Sequence, residues 1–186
     1  MNTHFNLKNI LEIKDKYIII DTNVLSDSSS DPEFYQTIYG ILKNNPILID
    51  PIVKLEFLRG AYIEKTYREK SAFLKIEIFN PMVDHQDIYK KVYDSAFNIA
   101  RIYSHNKKSN IPLGDILITA RQEVQNSDNY YFLTEDREDF TALLFDRVAI
   151  ISFERFNKDG QDYLQHLQLL KFNHKKFKKC LDNLPQ

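Results

Sequence analysis

Glycine, cysteine and net charge are all scarce in this 186-residue chain. Four glycines leave little material for a glycine-rich phosphate-binding loop, and no segment has that pattern. The single cysteine, Cys180, excludes an internal disulfide framework and a multi-cysteine metal site, which is typical of a reducing compartment. We therefore expect a cytoplasmic protein. The formal net charge of -1 means that overall charge does not favour nucleic-acid binding, so local patches must provide any such contact.

Long apolar runs are also absent. No segment approaches the ~20 apolar residues that are needed to cross a bilayer, and the amino terminus lacks the hydrophobic region of a signal peptide. We therefore expect no membrane partner. The hydrophobic content of 43% and aromatic content of 13% are ample for the core of one domain.

Two acidic residues directly follow segments with a strand-like pattern. Asp21 follows the apolar, β-branched residues 17–20, and Asp136 lies just after residues 130–133. An apolar run of this kind is typical of a strand buried on both faces of a parallel sheet. Open α/β folds build their sites at the carboxyl edge of such strands, so both carboxylates are expected at that edge.

Two further acids lie at or near the ends of predicted helices. Glu56 lies in a helix over residues 51–60, and Asp115 opens a second helix that continues to about residue 126. A parallel sheet can bring both to the edge where Asp21 and Asp136 lie. Carboxylates packed together raise the pKa of one another, so such a cluster calls for a cation, and Mg²⁺ or Mn²⁺ prefers oxygen ligands.

Each acid also has a simpler structural interpretation. Asp21 suits a turn at a strand end, Glu56 can pair with Arg59 on a helix face, Asp115 is a good helix N-cap, and Asp136 lies in a charge run typical of a solvated turn. Taken singly, each acid is explained at least as well by its structural role. The case for function comes from the four acids as a set and from the sequence that surrounds each of them.

The remaining segments alternate between strand and helix patterns. Residues 47–49 resemble a buried strand, residues 148–151 a last strand, and residues 140–145 a short helix. Asp27 to Glu33 is predicted to form a turn, with Asp31 as the N-cap of the next helix and Pro32 at its first position. Three further helices are predicted over residues 64–73, from a cap at Asp84, and over residues 163–170, where Tyr163, Leu164, Leu167 and Leu170 have helical spacing.

The surroundings of the four acids are similar to four motifs of a known family. The segments are Ile-Asp-Thr-Asn-Val-Leu at 20–25, Leu-Glu-Phe-Leu-Arg-Gly at 55–60, Ile-Pro-Leu-Gly-Asp-Ile-Leu-Ile-Thr-Ala at 111–120, and Leu-Thr-Glu-Asp-Arg-Glu-Asp-Phe at 133–140. In this order they resemble the PIN-domain nucleases, and in particular the VapC-like toxin branch. The resemblance covers about residues 17–152.

This resemblance implies the fold class and the domain organisation. An α/β fold is expected, a PIN-like three-layer sandwich in which helices flank a central, mostly parallel sheet. Residues 1–16 would be a lead-in segment, residues 17–152 the PIN-like nuclease domain, and residues 153–186 a helical and basic extension.

The resemblance also implies a metal-dependent nuclease site that uses Mg²⁺ or Mn²⁺. The catalytic set would be the four acids, with Asp21, Asp115 and Asp136 as metal ligands and Glu56 completing the shell directly or through water. Asn23 would brace the turn after Asp21, Thr134 would hydrogen-bond a water or a phosphate, and Asp139 is a lower-ranked acid whose simpler role is to cap the next helix. A divalent cation in such a site assists phosphodiester hydrolysis.

RNA is the substrate that the resemblance implies. The cations expected to contact it are Arg59, Arg121, Arg137, Lys175 and Lys176. The protein partners we consider are an antitoxin or another protein, and a second copy of the chain. The main alternative function is a PIN-like scaffold that binds RNA or a protein partner without efficient catalysis.

Other catalytic chemistries have weaker support. The five histidines are scattered without the paired spacing of a zinc site, and Cys180 has no partner histidine motif. Asp21-Thr22-Asn23 lacks the second aspartate, two residues on, of an aspartyl-phosphate phosphatase of the haloacid dehalogenase type.

Overall fold

The computed structural model describes residues 3–5, 13–82, 86–108, 110–125, 128–136, 138–156 and 162–185. These residues form a mixed α/β fold with a seven-stranded sheet flanked by helices, which confirms the predicted fold class. The strands are β1 (Thr3–Phe5), β2 (Tyr17–Ile20), β3 (Ile47–Ile49), β4 (Phe79–Pro81), β5 (Tyr130–Thr134), β6 (Phe145–Phe156) and β7 (Asp162–Phe172). Their order in the sheet is β1-β6-β7-β5-β2-β3-β4.

One half of the sheet is parallel, and it contains the first strand of the predicted domain. Strands β5, β2, β3 and β4 pair in parallel, with Ile20 opposite Leu133 at the end of β2 and β5. Ile18, Ile19 and Ile20 are all fully buried, as expected for a strand covered on both faces. This register brings the residues that follow β2 and β5 to the same edge.

The other half of the sheet is antiparallel. Strand β7 lies between β5 and β6 and pairs antiparallel with both, and β1 pairs antiparallel with β6. The helix predicted over residues 163–170 is therefore wrong. The apolar residues Leu167, Leu169 and Leu170 are all buried in β7, and a short apolar run of this kind fits a buried strand as well as a helix. The predicted domain boundary at residue 152 falls within β6.

The described residues form seven helices, several of which start where the sequence supplies a cap or a proline. They are α1 (Thr22–Ser30), α2 (Pro32–Leu42), α3 (Pro51–Arg59), α4 (Glu64–Phe73), α5 (Gln86–His105), α6 (Leu113–Gln125) and α7 (His174–Asp182). Asp31 caps α2 by accepting hydrogen bonds from the backbone N–H groups of Glu33 and Phe34, and Asp50 caps α3 in the same way through Ile52. Prolines follow both caps, where a missing N–H costs little.

Three local predictions differ from the structure. Residues 27–30 form the last turn of α1 rather than a turn between elements. Asp115 lies in the first turn of α6 but does not open it, since α6 begins at Leu113. Residues 140–144 form a bend and a turn and Phe145 begins β6, so the short helix predicted over residues 140–145 is wrong. The predicted cap Asp84 lies outside the described residues.

None of the described helices is long and apolar enough to cross a membrane.

Candidate metal centre

Asp21 lies at the carboxyl edge of the sheet and begins α1. It is the N-cap of that helix, and its Oδ1 accepts a hydrogen bond of 2.6 Å from the backbone N–H of Thr22. Its Oδ2 accepts from the Thr134 hydroxyl at 2.5 Å and from the Asn23 amide at 3.0 Å. The residue is 5% exposed, so the carboxylate is fixed by three donors in a largely buried position.

Asn23 and Thr134 join the two strand ends. The Asn23 side chain donates to the Thr134 hydroxyl at 3.3 Å and accepts from the backbone N–H of Glu135 at 3.3 Å. The Thr134 hydroxyl also accepts from the backbone N–H of Asp136 at 2.9 Å. Asn23 therefore lies where the sequence predicted a brace. The Thr134 hydroxyl is engaged with protein groups, which assigns it the same bracing role.

Glu56 reaches this edge from α3. Its Oε2 accepts a hydrogen bond of 2.7 Å from the Thr22 hydroxyl. Its Oε1 packs against Gly114 at the start of α6, where a Cβ atom would lie 2.1 Å from that oxygen. Only glycine fits such an approach without displacing the carboxylate. Thr22 and Gly114 therefore position Glu56, and neither was predicted to do so, although both lie directly beside predicted acids.

Three carboxylates converge beside Asp21 and Glu56. One oxygen from each of Asp115, Asp136 and Asp139 lies within 4.8 Å of the other two. Asp136 Oδ1 accepts hydrogen bonds from the backbone N–H groups of Glu138 and Asp139 at 2.7 and 3.0 Å, which folds the segment back so that Asp139 faces the cluster. The cap role predicted for Asp139 has no helix to act on, and its carboxylate joins the acids instead.

Burial and mutual repulsion both disfavour charge on these acids. Burial, followed by the neighbouring carboxylates led by Asp21, raises the pKa of Asp115 to about 7. Burial also raises the pKa of Asp21 to about 6, against the lowering effect of the bonds from Thr134 and Thr22. The pKa of Asp139 is raised by burial and by Asp136. No ion pair between described residues involves any of the five acids.

These acids fit a divalent cation. The donors are all carboxylate oxygens, which are the ligands that Mg²⁺ and Mn²⁺ prefer. A bound cation would relieve the repulsion that contributes to the raised pKa values of Asp21, Asp115 and Asp139. Asp21 lies next to the three converging oxygens and is coupled to Asp115, Glu56 and Asp136 through charge. Asp115, Asp136 and Asp139 are the residues that the structure brings closest, and their metal role stays a prediction.

The predicted RNA-binding cations lie in different environments. Arg121 is 3% exposed, and its Nε lies 2.7 Å from Asp50 Oδ2 in a buried ion pair, so the predicted contact with RNA is wrong. Lys176 pairs with Asp146 at 2.7 Å and donates to the carbonyls of Ala142 and Phe145. It therefore ties α7 to the start of β6.

Two of the other predicted cations are less constrained. Arg59 and Lys175 are exposed, at the end of α3 and on α7. Arg137 lies outside the described residues.

A second acidic cluster lies next to this site and is organised around an arginine. Arg155 on β6 contacts Asp27 Oδ2 at 2.5 Å and Asp31 Oδ2 at 2.9 Å. Gln165 on β7 accepts from Arg155 at 2.6 Å and donates to Asp27 at 2.8 Å and to Glu135. The sequence analysis missed this cluster because its members come from four separate elements.

Comparison with known proteins gives one match. A protein-family model described as PIN domain matches residues 18–151, which include all five acids of the site. No curated protein matches the chain, and no solved structure does.

Proposed function

The chain belongs to the PIN-domain family, and from this premise we propose that it is a Mg²⁺- or Mn²⁺-dependent endoribonuclease that hydrolyses RNA phosphodiester bonds. Proteins of this family are generally nucleases. The observation that carries the proposal is the convergence of Asp115, Asp136 and Asp139 beside Asp21 and Glu56, without an ion pair to any described cation.

The residues of the site have distinct roles in this proposal. Asp115, Asp136 and Asp139 offer the oxygens that hold the cation, and Asp21 and Glu56 complete the acidic shell directly or through water. A bound divalent cation supplies Lewis acidity that polarises the phosphoryl group and lowers the pKa of an attacking water.

Three side-chain hydrogen bonds hold Asp21 and Glu56 in place. Asn23 and Thr134 keep Asp21 in one orientation, and Thr22 keeps Glu56 in one orientation. A metal site whose ligands are held by second contacts loses little order when the cation binds. The chain therefore carries a largely preorganised set of ligands.

The finer parts of the proposal rest on the motif resemblance to the VapC-like branch. They are the choice of RNA over DNA, a toxin role with an antitoxin partner, and a cytoplasmic location. The reversible pairing of a toxin with a protein partner is compatible with an open acidic edge of the sheet.

The test uses purified chain that is stripped with a chelator and then supplied with Mn²⁺. End-labelled single-stranded and structured RNAs, and DNA of the same sequence, are incubated with the unmutated chain and with Asp115→Asn. We expect RNA cleavage that the variant reduces by at least about 100-fold, because a direct ligand should exceed the effect of its supporting contacts.

Asp128→Asn is the matched control. Asp128 is exposed and pairs with Lys171 at 2.7 Å, just before β5, at the opposite end of that strand from the acids. The control should cut RNA at the normal rate. Equal cleavage by Asp115→Asn would refute the site, cleavage of DNA alone would refute the substrate, and RNA binding without cleavage across metals would favour the scaffold alternative.

A further inference from the structure

A groove between helices α3 and α4 opens at the same edge of the sheet as the acids. Its lining includes Ile49 and Pro81, which pair at the ends of the parallel strands β3 and β4. Because β5, β2, β3 and β4 are successive neighbours in the sheet, the acids and the groove lie next to each other along one carboxyl edge. The volume of the groove is about 560 Å³, which is typical of pockets that bind small organic groups.

The lining of the groove combines apolar side chains with a few polar groups. Leu58, Leu74 and Met82 are half-buried and line it from α3, the end of α4 and the end of β4. Tyr67 lines it from α4 and is 48% exposed. Ser71, one turn further along α4, is half-buried and adds a hydroxyl group. A flat group with apolar faces and polar edges suits such a lining.

Two lysines give the groove a positive charge. Lys54 on α3 and Lys75 after α4 are exposed and line the groove, and none of its described lining residues is acidic. No ion pair between described residues involves either lysine. Both ammonium groups are therefore available to an anionic partner, such as the phosphates of a nucleic acid.

Helix α3 separates the groove from the candidate metal centre. At about 100° per residue, Lys54 and Leu58 lie on the opposite side of α3 from Glu56, whose carboxylate faces the other acids. The surface between these two sides includes Leu55, which is 69% exposed, and the exposed Arg59. The groove and the acids are therefore one helix diameter apart, roughly 10 Å. A single strand held at the acids continues within reach of the groove, which favours RNA over a protein segment as its occupant.

We propose that this groove is a base-recognition site for the RNA substrate. One unstacked base of a single strand enters between α3 and α4, where it stacks on Tyr67 and meets the Ser71 hydroxyl with its edge. Lys54 and Lys75 contact the phosphates on either side of that base. Proteins that read single-stranded RNA commonly hold splayed bases on aromatic side chains in this way. The inference rests on RNA being the substrate in the proposed function, and it adds a site that selects which sequences are cut.

The first test measures RNA binding by the full chain in the Asp115→Asn background, where cleavage is not expected. The probe is a pool of short single-stranded RNAs. The tightest binder from the pool is remade with one abasic nucleotide at each position in turn, and fluorescence anisotropy gives the dissociation constants. Loss of the base that occupies the groove should weaken binding about tenfold or more, which is the usual effect of losing one stack on an aromatic ring. The same loss at other positions should matter less.

A variant that fills the groove separates base recognition from a general effect on binding. Ser71→Trp places an indole in the groove, and Ala72→Trp is the matched control at an exposed position of α4 outside the described lining. In Ser71→Trp the intact RNA should bind as weakly as the abasic RNA, because the two losses remove the same contact and do not add. Ala72→Trp should keep the difference of about tenfold.

A second variant removes the stack without filling the groove. Tyr67→Ala should reduce the difference between intact and abasic RNA to about threefold or less. Circular dichroism checks that each variant keeps its helices. An abasic penalty that survives in both Ser71→Trp and Tyr67→Ala would overturn the proposal.

The salt dependence of binding tests the two lysines. Lys54→Gln combined with Lys75→Gln should lower the slope of log affinity against log salt by about 1.4, since each phosphate contact on a single strand contributes roughly 0.7. Lys43→Gln is the control. Lys43 is exposed at the end of α2, before β3 begins, and so lies at the opposite edge of the sheet. An unchanged slope in the double variant would refute the phosphate contacts.

Cleavage by the unmutated chain connects the groove to the metal centre. Sequencing of the ends cut from the same RNA pool with Mn²⁺ should show a base preference at a fixed distance from the cut, and Ser71→Trp should erase it. If Ser71→Trp binds and cuts RNA as the unmutated chain does, the groove has another occupant, and the nuclease assignment stands without it. A chain that does not cut RNA but shows an abasic penalty that Ser71→Trp removes would refute the nuclease and keep the base-recognition site.

Discussion

Two acidic clusters lie side by side in this protein and differ in how their charge is balanced. Glu135 and Asp136 are neighbours in the chain, yet Glu135 belongs to the cluster around Arg155 and Asp136 to the candidate metal centre. In the first cluster a guanidinium contacts Asp27 and Asp31 directly. In the second, no described cation pairs with an acid. Convergence of carboxylates is therefore a weak sign of function by itself, and the missing counter-charge is the informative feature.

The balance in the Arg155 cluster is itself incomplete. The cluster contains three carboxylates and one arginine, which contacts two of them. Burial together with the charge of Asp27 raises the pKa of Glu135 to about 7. Gln165 partly compensates because its amide donates to both Asp27 and Glu135. The cluster joins α1, β5, β6 and β7, so its contacts hold the antiparallel half of the sheet against the parallel half.

Removing Arg155 would leave the acids of its cluster without the cation that contacts them. Arg155→Met should lower the free energy of unfolding by about 2–3 kcal/mol at pH 8, because a partly buried pair loses one partner. The loss should be smaller at pH 5. The folded pKa of Glu135 is about 7, above its ordinary value of 4.5. The free energy of unfolding therefore decreases as the pH rises from about 4.5 to 7 and Glu135 ionises. Loss of Arg155 makes this decrease larger.

Urea unfolding of the unmutated chain and of Arg155→Met at both pH values measures the effect. Arg155 also lies over the Phe34 ring, at 5.2 Å from the centroid. An equal loss at pH 5 and pH 8 would mean that packing on Phe34, and not charge, is the role of the arginine.

The reverse change removes a charge from the candidate metal centre, where no described cation pairs with an acid. In chelator at pH 8, Asp115→Asn should raise the free energy of unfolding by about 1–2 kcal/mol, a figure kept low because water reaches this partly exposed group. The folded pKa of about 7 exceeds the ordinary value of 3.8 for this carboxyl group. Stability is therefore lost as the pH rises from about 4 to 7, and the gain should vanish at pH 4.

Thermal unfolding with added Mn²⁺ complements the measurement in chelator. The unmutated chain should gain thermal stability with Mn²⁺, since a ligand that binds only the folded state stabilises it, whereas Asp115→Asn should gain much less. A variant that is less stable than the unmutated chain in chelator at pH 8 would show that Asp115 is already neutralised within the protein.

A steric change tests whether the position of a carboxylate matters as much as its charge. Gly114→Ala would place a Cβ atom 2.1 Å from Glu56 Oε1 and displace that carboxylate. We expect the rate of RNA cleavage to fall five- to tenfold, roughly the cost of a modest misplacement of a catalytic group. Gly40→Ala in α2 is the control, because no atom lies within 4 Å of its added methyl. Unchanged cleavage by Gly114→Ala would remove Glu56 from the shell.

The sequence predicted the convergence of the acids at the candidate metal centre better than the arginine cluster because of how the two are built. Asp21 and Asp136 follow local strand patterns, and parallel pairing of β2 and β5 brings such strand ends together in a predictable way. Arg155 and Gln165 lie on β6 and β7, whose pairing has no local signature. The apolar residues of β7 fit a helix equally well, so neither the strand nor its contacts could be anticipated.

Two residues show which side-chain positions could not be predicted from the sequence. Arg121 lies six residues after Asp115 and was predicted to face RNA, but its side chain turns inward to Asp50. A buried arginine needs a buried acid, and no local sequence pattern indicates that Arg121 pairs with Asp50. The sequence ranks Asp139 below Asp136 because capping the next helix is its simpler role, and its actual place in the cluster depends on a turn held by Asp136 Oδ1.

The smallest expected effect comes from an Asp→Asn change in the Arg155 cluster, made as the counterpart of Asp115→Asn. Asp31→Asn removes one of the two carboxylates on Arg155 and should lower the free energy of unfolding by about 1 kcal/mol or less, since the pair is partly exposed. Asparagine is as good an N-cap as aspartate, so α2 should keep its start. Cleavage of RNA should stay within about twofold, because additivity holds for sites without shared partners. Unfolding and cleavage measured on the same preparation therefore separate the clusters: Asp115→Asn gains stability and loses activity, and Asp31→Asn loses stability and keeps activity. The same response from both variants would mean that the two clusters act as one site.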